Sequence, residues 1–218
     1  SARYLVMDQA ARRNLELFST LRDNRREGSL FHVLDETVTA MGGRRLRRWM
    51  GYPLLSPERI RERLSAVSEM KSRHSERRDL REGLRGVHDM ERLGSRVAMG
   101  VANARDLSAL RMSMEKAERI KAMTAVYEGD FLSSIHGALD PMTELRELLE
   151  RAIVDDPPLT VREGGMIREG YDATLDELIS ASRDGKKWIA ALEKKEKERT
   201  GIASLKVGFN QVFGYYIE

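Results

Sequence analysis

The densest single chemistry in the 218 residues is the run Arg44-Arg45-Leu46-Arg47-Arg48-Trp49. Planar guanidinium groups donate paired hydrogen bonds to the oxygens of phosphates and carboxylates. On a helix of 3.6 residues per turn, however, arginines at 44, 45, 47 and 48 spread around the axis and make no single stripe. The spacing favours a helix on which Leu46, Trp49 and Met50 pack while the arginines meet nearby acids or an adjoining domain. Phosphate binding is the other reading. A second candidate lies near the end of the chain. Lys206, Asn210 and Gln211 are polar side chains close to a turn and offer hydrogen-bond donors to a nucleic-acid backbone. By themselves they are also ordinary turn chemistry.

Motifs for catalysis are missing from these residues. Gly185-Lys186-Lys187 lacks the upstream glycine of a phosphate-binding loop, and no Gly-x-Ser-x-Gly elbow occurs. Histidines at 32, 74, 88 and 136 stand too far apart for metal-ligand spacing, and His88-Asp89 reads as a surface pair. Asp155-Asp156 precedes two prolines, which suits a helix-ending turn. With no cysteine in the chain there is no disulfide, thiolate metal site or thiol nucleophile. The expectation is a chain with no catalytic, cofactor or metal site of its own.

The elements that must position the two basic candidates read as mostly α. Leu, Glu, Arg, Lys, Ala and Met dominate, and prolines number only five. Net charge is +3, so an argument for nucleic acid rests on local clusters. Residues 4–27 fit a short strand or a helix. Thr39 is placed to cap the arginine helix, which Gly51 and Pro53 end, and Ser56-Pro57-Glu58 starts the next. Residues 80–99 read as one or two helices broken by glycines, and Ala104 to Tyr127 as a better one with Leu107, Leu110, Met114, Ala117 and Ile120 on one side. Asp140 is expected to cap the helix that follows it.

Tyr171 to Thr200 holds no proline and one glycine, which predicts a single long helix. Glu193 to Arg199 are all charged, so this end has no apolar face and is expected to run through solvent on pairs such as Glu193–Lys197 and Glu196–Arg199. After Gly201 the period changes to two. A loop Asn210-Gln211-Val212 would pair Phe209 with Phe213, Val207 with Tyr215 and Leu205 with Ile217. The expected architecture is therefore a multi-helix core with a long protruding helix and a short C-terminal antiparallel hairpin. The run stops inside an alternating apolar pattern, which suggests truncation of a larger β element. No apolar stretch reaches the length of a membrane span, and the default expectation is a cytoplasmic protein.

Several motifs in order carry a resemblance. The strongest runs from Arg199-Thr200-Gly201-Ile202 through Lys206-Val207-Gly208-Phe209-Asn210 to Gly214-Tyr215-Tyr216-Ile217-Glu218. Another is Leu34-Asp35-Glu36-Thr37-Val38-Thr39 continuing to Gly42-Gly43-Arg44, then Arg47-Arg48-Trp49 and Pro53-Leu54. Asn14-Leu15-Glu16-Leu17, Asp89-Met90-Glu91-Arg92 and Leu175-Asp176-Glu177-Leu178 support them. With these motifs the chain resembles the middle of the MutS family of bacterial DNA mismatch-repair proteins. It departs where the family usually has threonine (Ala11) and proline (Ala40), neither of which carries chemistry.

The resemblance implies a core or lever domain over residues 1–192, with the end of the lever helix and the first clamp strands over 193–218. It implies a parent that forms a homodimer on mismatched double-stranded DNA, uses ATP and Mg²⁺ in a domain outside these residues, and works with MutL. In such a parent the clamp touches the DNA backbone without reading sequence, which casts Lys206, Asn210 and Gln211 as backbone contacts. Without the resemblance, the alternative is a helical scaffold that binds another protein through Arg44, Arg45, Arg47 and Arg48.

Overall fold

A computed structural model describes residues 3–210 and 214–218, with the side chains of Lys186, Phe209 and Asn210 outside the description. Ten α-helices and one two-stranded antiparallel sheet appear among the described residues. The chain divides into two compact units, Ser1–Met166 and Ile167–Glu218.

The first unit opens with α1 (Gln9–Asn14), whose first turn is closed by the Asp8 carboxylate accepting from the Ala11 amide at 2.6 Å. The segment 4–27 thus resolves into a short helix and turns, with strand-like pairing limited to an isolated bridge between Tyr4 and Leu54. Next comes α2 (Leu30–Leu34), capped by Ser29. The Ser29 hydroxyl is fully buried, donates to the Arg26 carbonyl and accepts from the His32 amide, so its burial leaves no bond unmade. Phe31 of α2 packs edge-on against Phe18 at 6.0 Å between ring centroids. The arginine helix, α3 (Ala40–Gly51), starts as expected with the Thr39 hydroxyl accepting from the Gly42 amide.

Four helices then pack on one, and a fifth joins through two of the four. These are α4 (Pro57–Ser72), α5 (His74–Leu84), α6 (Met90–Ala98), α8 (Asp130–Ala138) and α9 (Thr143–Ala152); the helix they surround is α7 (Ala104–Thr124). Its first turn carries a full capping box in which Asn103 and Asp106 satisfy each other's amides at 2.9 Å. Helices α5, α6, α8 and α9 pack on α7, and α4 joins through α5 and α8. Leu110, Met114 and Ile120 of the expected stripe are buried, Met114 almost completely at 1% exposure. Around Ile120 the core gathers Ala66, Leu80, Tyr127 and Leu132. The glycine break in residues 80–99 falls at Gly86, whose φ of +73° is left-handed, while Gly83 and Gly94 stay helical.

One cap differs from expectation. Asp140 does not cap α9, whose N-cap is Met142 in the left-handed region. The Asp140 carboxylate accepts from the Met142 amide two residues on, an Asx turn that competes with capping. Helix α8 has no capping side chain of its own either. Its entry is held from α4, where the two oxygens of Glu69 accept from the Glu128 and Gly129 amides at 2.7 and 3.1 Å.

The second unit is α10 (Ala173–Thr200) followed by β1 (Val207–Asn210) and β2 (Gly214–Ile217). Asp172 caps α10, so the helix begins two residues later than the proline-free run. It continues through Gly185 and past Leu192 for 28 residues, about 42 Å at 1.5 Å per residue. Gly201, at φ +70°, ends it.

Met114→Ala should lower unfolding free energy by about 2–5 kcal/mol, as a large-to-small change in a packed core does. Val67→Ala, at a position 62% exposed on α4, should stay within about 0.5 kcal/mol. Urea titrations of both variants read the difference.

Candidate nucleic-acid interface and basic helix

The hairpin forms in a register different from the expected one. Val207 pairs with Ile217, Gly208 with Tyr216, Phe209 with Tyr215 and Asn210 with Gly214. Two backbone bonds between Lys206 and Glu218, at 2.8 and 3.0 Å, continue the ladder. Most of the expected loop, and Phe213, lie outside the described residues, and the described strands pair Asn210 with Gly214. Two physical reasons favour the shift. Gly214 has φ +75°, so glycine and not Asn210 supplies the left-handed residue that such a connection needs. Gly208 also comes to face Tyr216, where the expected register would set it opposite Gly214. A Cβ on Gly208 would lie 2.6 Å from the tyrosine Cζ, so the ring covers the bare backbone there. Pairing moved by two positions, so Val207 still stands opposite an odd residue, Ile217 in place of Tyr215.

The all-charged end of α10 is only partly solvated. Ile189, Leu192, Glu193, Glu196 and Lys197 form a half-buried stripe, and β1 packs beside the helix. Leu205 is buried there at 7% exposure. Glu193 makes the join: Lys197 Nζ donates to one carboxylate oxygen at 2.7 Å and the Val207 amide to the other at 3.2 Å. The Lys197 bond first, and then the Val207 amide, hold its pKa below the ordinary glutamate value. Glu196 pairs with Arg199 at 2.7 Å. Both expected helix pairs form, and Glu193 also fastens a strand, a use that its place in the charged run gave no sign of.

Lys206 is exposed at the end of β1 away from the turn. Asn210 ends β1 about 13 Å further along at 3.3 Å per residue. The structure therefore sets Lys206 apart from Asn210, and the Asn210 side chain and Gln211 lie outside the described residues.

Helix α3 separates its four arginines by role. Arg44 grips two acids at the start of α6: its two terminal nitrogens meet Asp89 at 2.6 and 2.7 Å, and Nε reaches Glu91 at 3.1 Å. Asp89, which caps α6, is pulled down to a pKa of about 2, first by its bond with Arg44 and then by the Arg92 amide. Asp89 and Glu91 belong to the quoted Asp89–Arg92 motif, but nothing local marks them as partners of a residue 45 positions away. Arg47 lies over the Phe18 ring at 4.2 Å and over Phe31 at 5.6 Å. Arg45 and Arg48 point to a different side, into a cleft beside Trp49. Among the described residues no group of His, Asp or Glu is arranged to hold a metal, and no helix is long and apolar enough to cross a membrane.

A family model described as MutS domain III matches residues 10–206. The chain belongs to the MutS domain III family. Proteins called DNA mismatch repair protein MutS share it along nearly its whole length. That of Acetivibrio thermocellus is 51% identical over 215 residues, covering 99% of this chain and 25% of the relative. That of Brevibacillus brevis is 54% identical over 215 residues, with the same coverage of both chains. That of Listeria monocytogenes is 49% identical over 218 residues, all of this chain and 25% of the relative. The chain thus spans about a quarter of the length of the curated relatives it matches.

Asp89 has a folded pKa below the ordinary 3.8, so its charge adds stability that is full above that value and fades as pH falls toward about 2. Asp89→Asn should therefore be destabilising at pH 7, with the difference shrinking below the ordinary 3.8 and closing only near and below about pH 2. Thermal melts across that range check it. Gly185→Ala, in a helix interior where an added Cβ meets nothing within 4 Å, should raise stability by about 1 kcal/mol.

Proposed function

We propose that this chain is the lever of a DNA mismatch-repair protein, with residues 1–192 as the helical lever and 193–218 as its end and the first strands of a DNA clamp. The observation that supports it is α10, a continuous helix of 28 residues with a β element fastened to its last turns by Glu193 and Leu205. A helix is stiff along its axis, so a small rotation at Ala173 becomes a larger displacement at Thr200. Each relative cited carries mismatch repair in its name, and this chain spans about a quarter of each relative's length. The full protein would form a homodimer on mismatched double-stranded DNA and take ATP and Mg²⁺ outside these residues. It would engage MutL in the bacterial cytoplasm.

On this reading the chain supplies no catalytic group. Its hairpin contributes backbone contacts through Lys206, Asn210 and Gln211, donors suited to phosphate oxygens and blind to sequence. Such contacts release counterions, so affinity falls steeply as salt rises.

Fluorescence anisotropy with a labelled duplex at several salt concentrations tests the proposal. The chain should bind weakly and with a steep salt slope, lose affinity on Lys206→Glu, and show no steady-state ATP hydrolysis. A G·T duplex and its matched twin should bind alike. A preference above about tenfold, equivalent to about 1.4 kcal/mol, would contradict sequence-blind contact. Binding untouched by salt or by Lys206→Glu would contradict the hairpin as its site.

A further inference from the structure

The cleft beside α3 combines unpaired positive charge with aromatic surface. It encloses about 560 Å³ and receives Arg3, Arg45, Arg48 and Arg63. None of these four forms an ion pair among the described residues, in contrast to Arg44 on the same helix. No carboxylate lines the cleft. Its other walls are Tyr4, Trp49 and Tyr52, with Trp49 37% and Tyr52 49% exposed. Two of the arginines lie over rings: Arg63 over Trp49 at 3.9 Å and Arg3 over Tyr4 at 5.6 Å. Arg12 lies over Tyr52 at 5.0 Å from outside the cleft. A guanidinium stacked on a ring keeps its N–H donors in plane and aimed sideways, ready for a planar carboxylate.

The strands of chain that build the cleft are fixed. Tyr4 bridges Leu54, the Leu5 amide bonds the Pro53 carbonyl at 2.8 Å, and the Leu55 amide bonds the Arg3 carbonyl at 3.4 Å. Leu5, Val6 and Leu55 stand on these same segments, 45%, 87% and 46% exposed. Trp, Tyr and Arg are the side chains that dominate protein–protein binding energy. An adjoining apolar margin suits a protein partner better than a phosphate backbone, whose sites are mainly charged.

We propose that this cleft is a docking site for an acidic protein segment in which Asp or Glu residues alternate with apolar ones. The carboxylates enter between Arg45, Arg48 and Arg63, and the apolar side chains lie on Trp49, Tyr52 and the Leu5–Leu55 margin. The site goes beyond the DNA reading of the hairpin and does not depend on it.

The chain has two tryptophans, so Trp188→Phe leaves Trp49 as the sole indole reporter inside the cleft. The probe is a synthetic peptide alternating Glu and Asp with Leu and Phe, compared with a twin carrying Lys at the acidic positions. The acidic peptide should change Trp49 emission saturably, and the lysine twin should not. Arg48→Glu and Arg45→Glu should each weaken binding by about tenfold or more, a loss typical of a buried charge partner. Arg13→Glu, the same charge change on an exposed arginine outside the cleft, should leave it intact. Arg48→Gln repeats the test without charge reversal, and circular dichroism confirms that each variant is folded. No saturable response to the acidic peptide overturns the proposal, as does equal loss in Arg13→Glu. A single-stranded 20-mer DNA that perturbs Trp49 more tightly than the peptide overturns it in favour of a nucleic-acid site.

Discussion

The carboxylate of Glu193 joins two elements that have opposite requirements. A helix whose last turns are all charged has no apolar face with which to recruit a partner. A two-stranded hairpin alone is marginal in water. One oxygen of Glu193 holds Lys197 along the helix and the other holds the first amide of β1, while Leu205 buries just before it. The hairpin thereby gains a third surface, and α10 gains a reason to stay helical to Thr200. The mechanical reading depends on this joint, because a rod transmits motion only to what is fixed to its end.

The first unit solves a different problem. Its helices are short, and α7 alone is long enough for four others to pack along it. Met114, near its middle, is the most completely buried large side chain described. Polar groups then set the angles at which neighbours enter: Glu69 for α8, Asp106 with Arg96 at the start of α7, and Arg44 on the first turn of α6. Two of the four arginines in α3 are used inside the unit in this way, Arg44 by acids and Arg47 by rings. Arg45 and Arg48 remain for an outside partner.

Much of this was legible in the sequence where the signal is local. The caps at Thr39 and Ser56, the stripe on α7, the unbroken helix through Gly185 and the switch to a period of two after Gly201 all follow from residues within one or two turns of each other. The pairs Glu193–Lys197 and Glu196–Arg199 were readable for the same reason. Asp140 misled because an aspartate two residues before an amide can close an Asx turn as readily as a helix. The hairpin register misled because Asn210 and Gly214 both tolerate the left-handed region; Gly214 is the one that adopts it, and the pairing of Gly208 with Tyr216 favours the same alignment. The partners of Arg44 and the membership of Arg3 and Arg63 in the Trp49 cleft were not legible at all. They depend on residues from 14 to 47 positions apart, whose approach is decided by packing and not by spacing.

The continuity of α10 is the claim most open to direct measurement. The chain contains no cysteine, so Thr174→Cys and Glu198→Cys place two spin labels at exposed positions without further substitution. Twenty-four residues of helix separate them, so pulsed dipolar spectroscopy should give a single narrow distribution near about 36 Å. A distribution centred well below that, or split into two, would mean that the helix bends or breaks near Gly185 and would contradict a rigid lever.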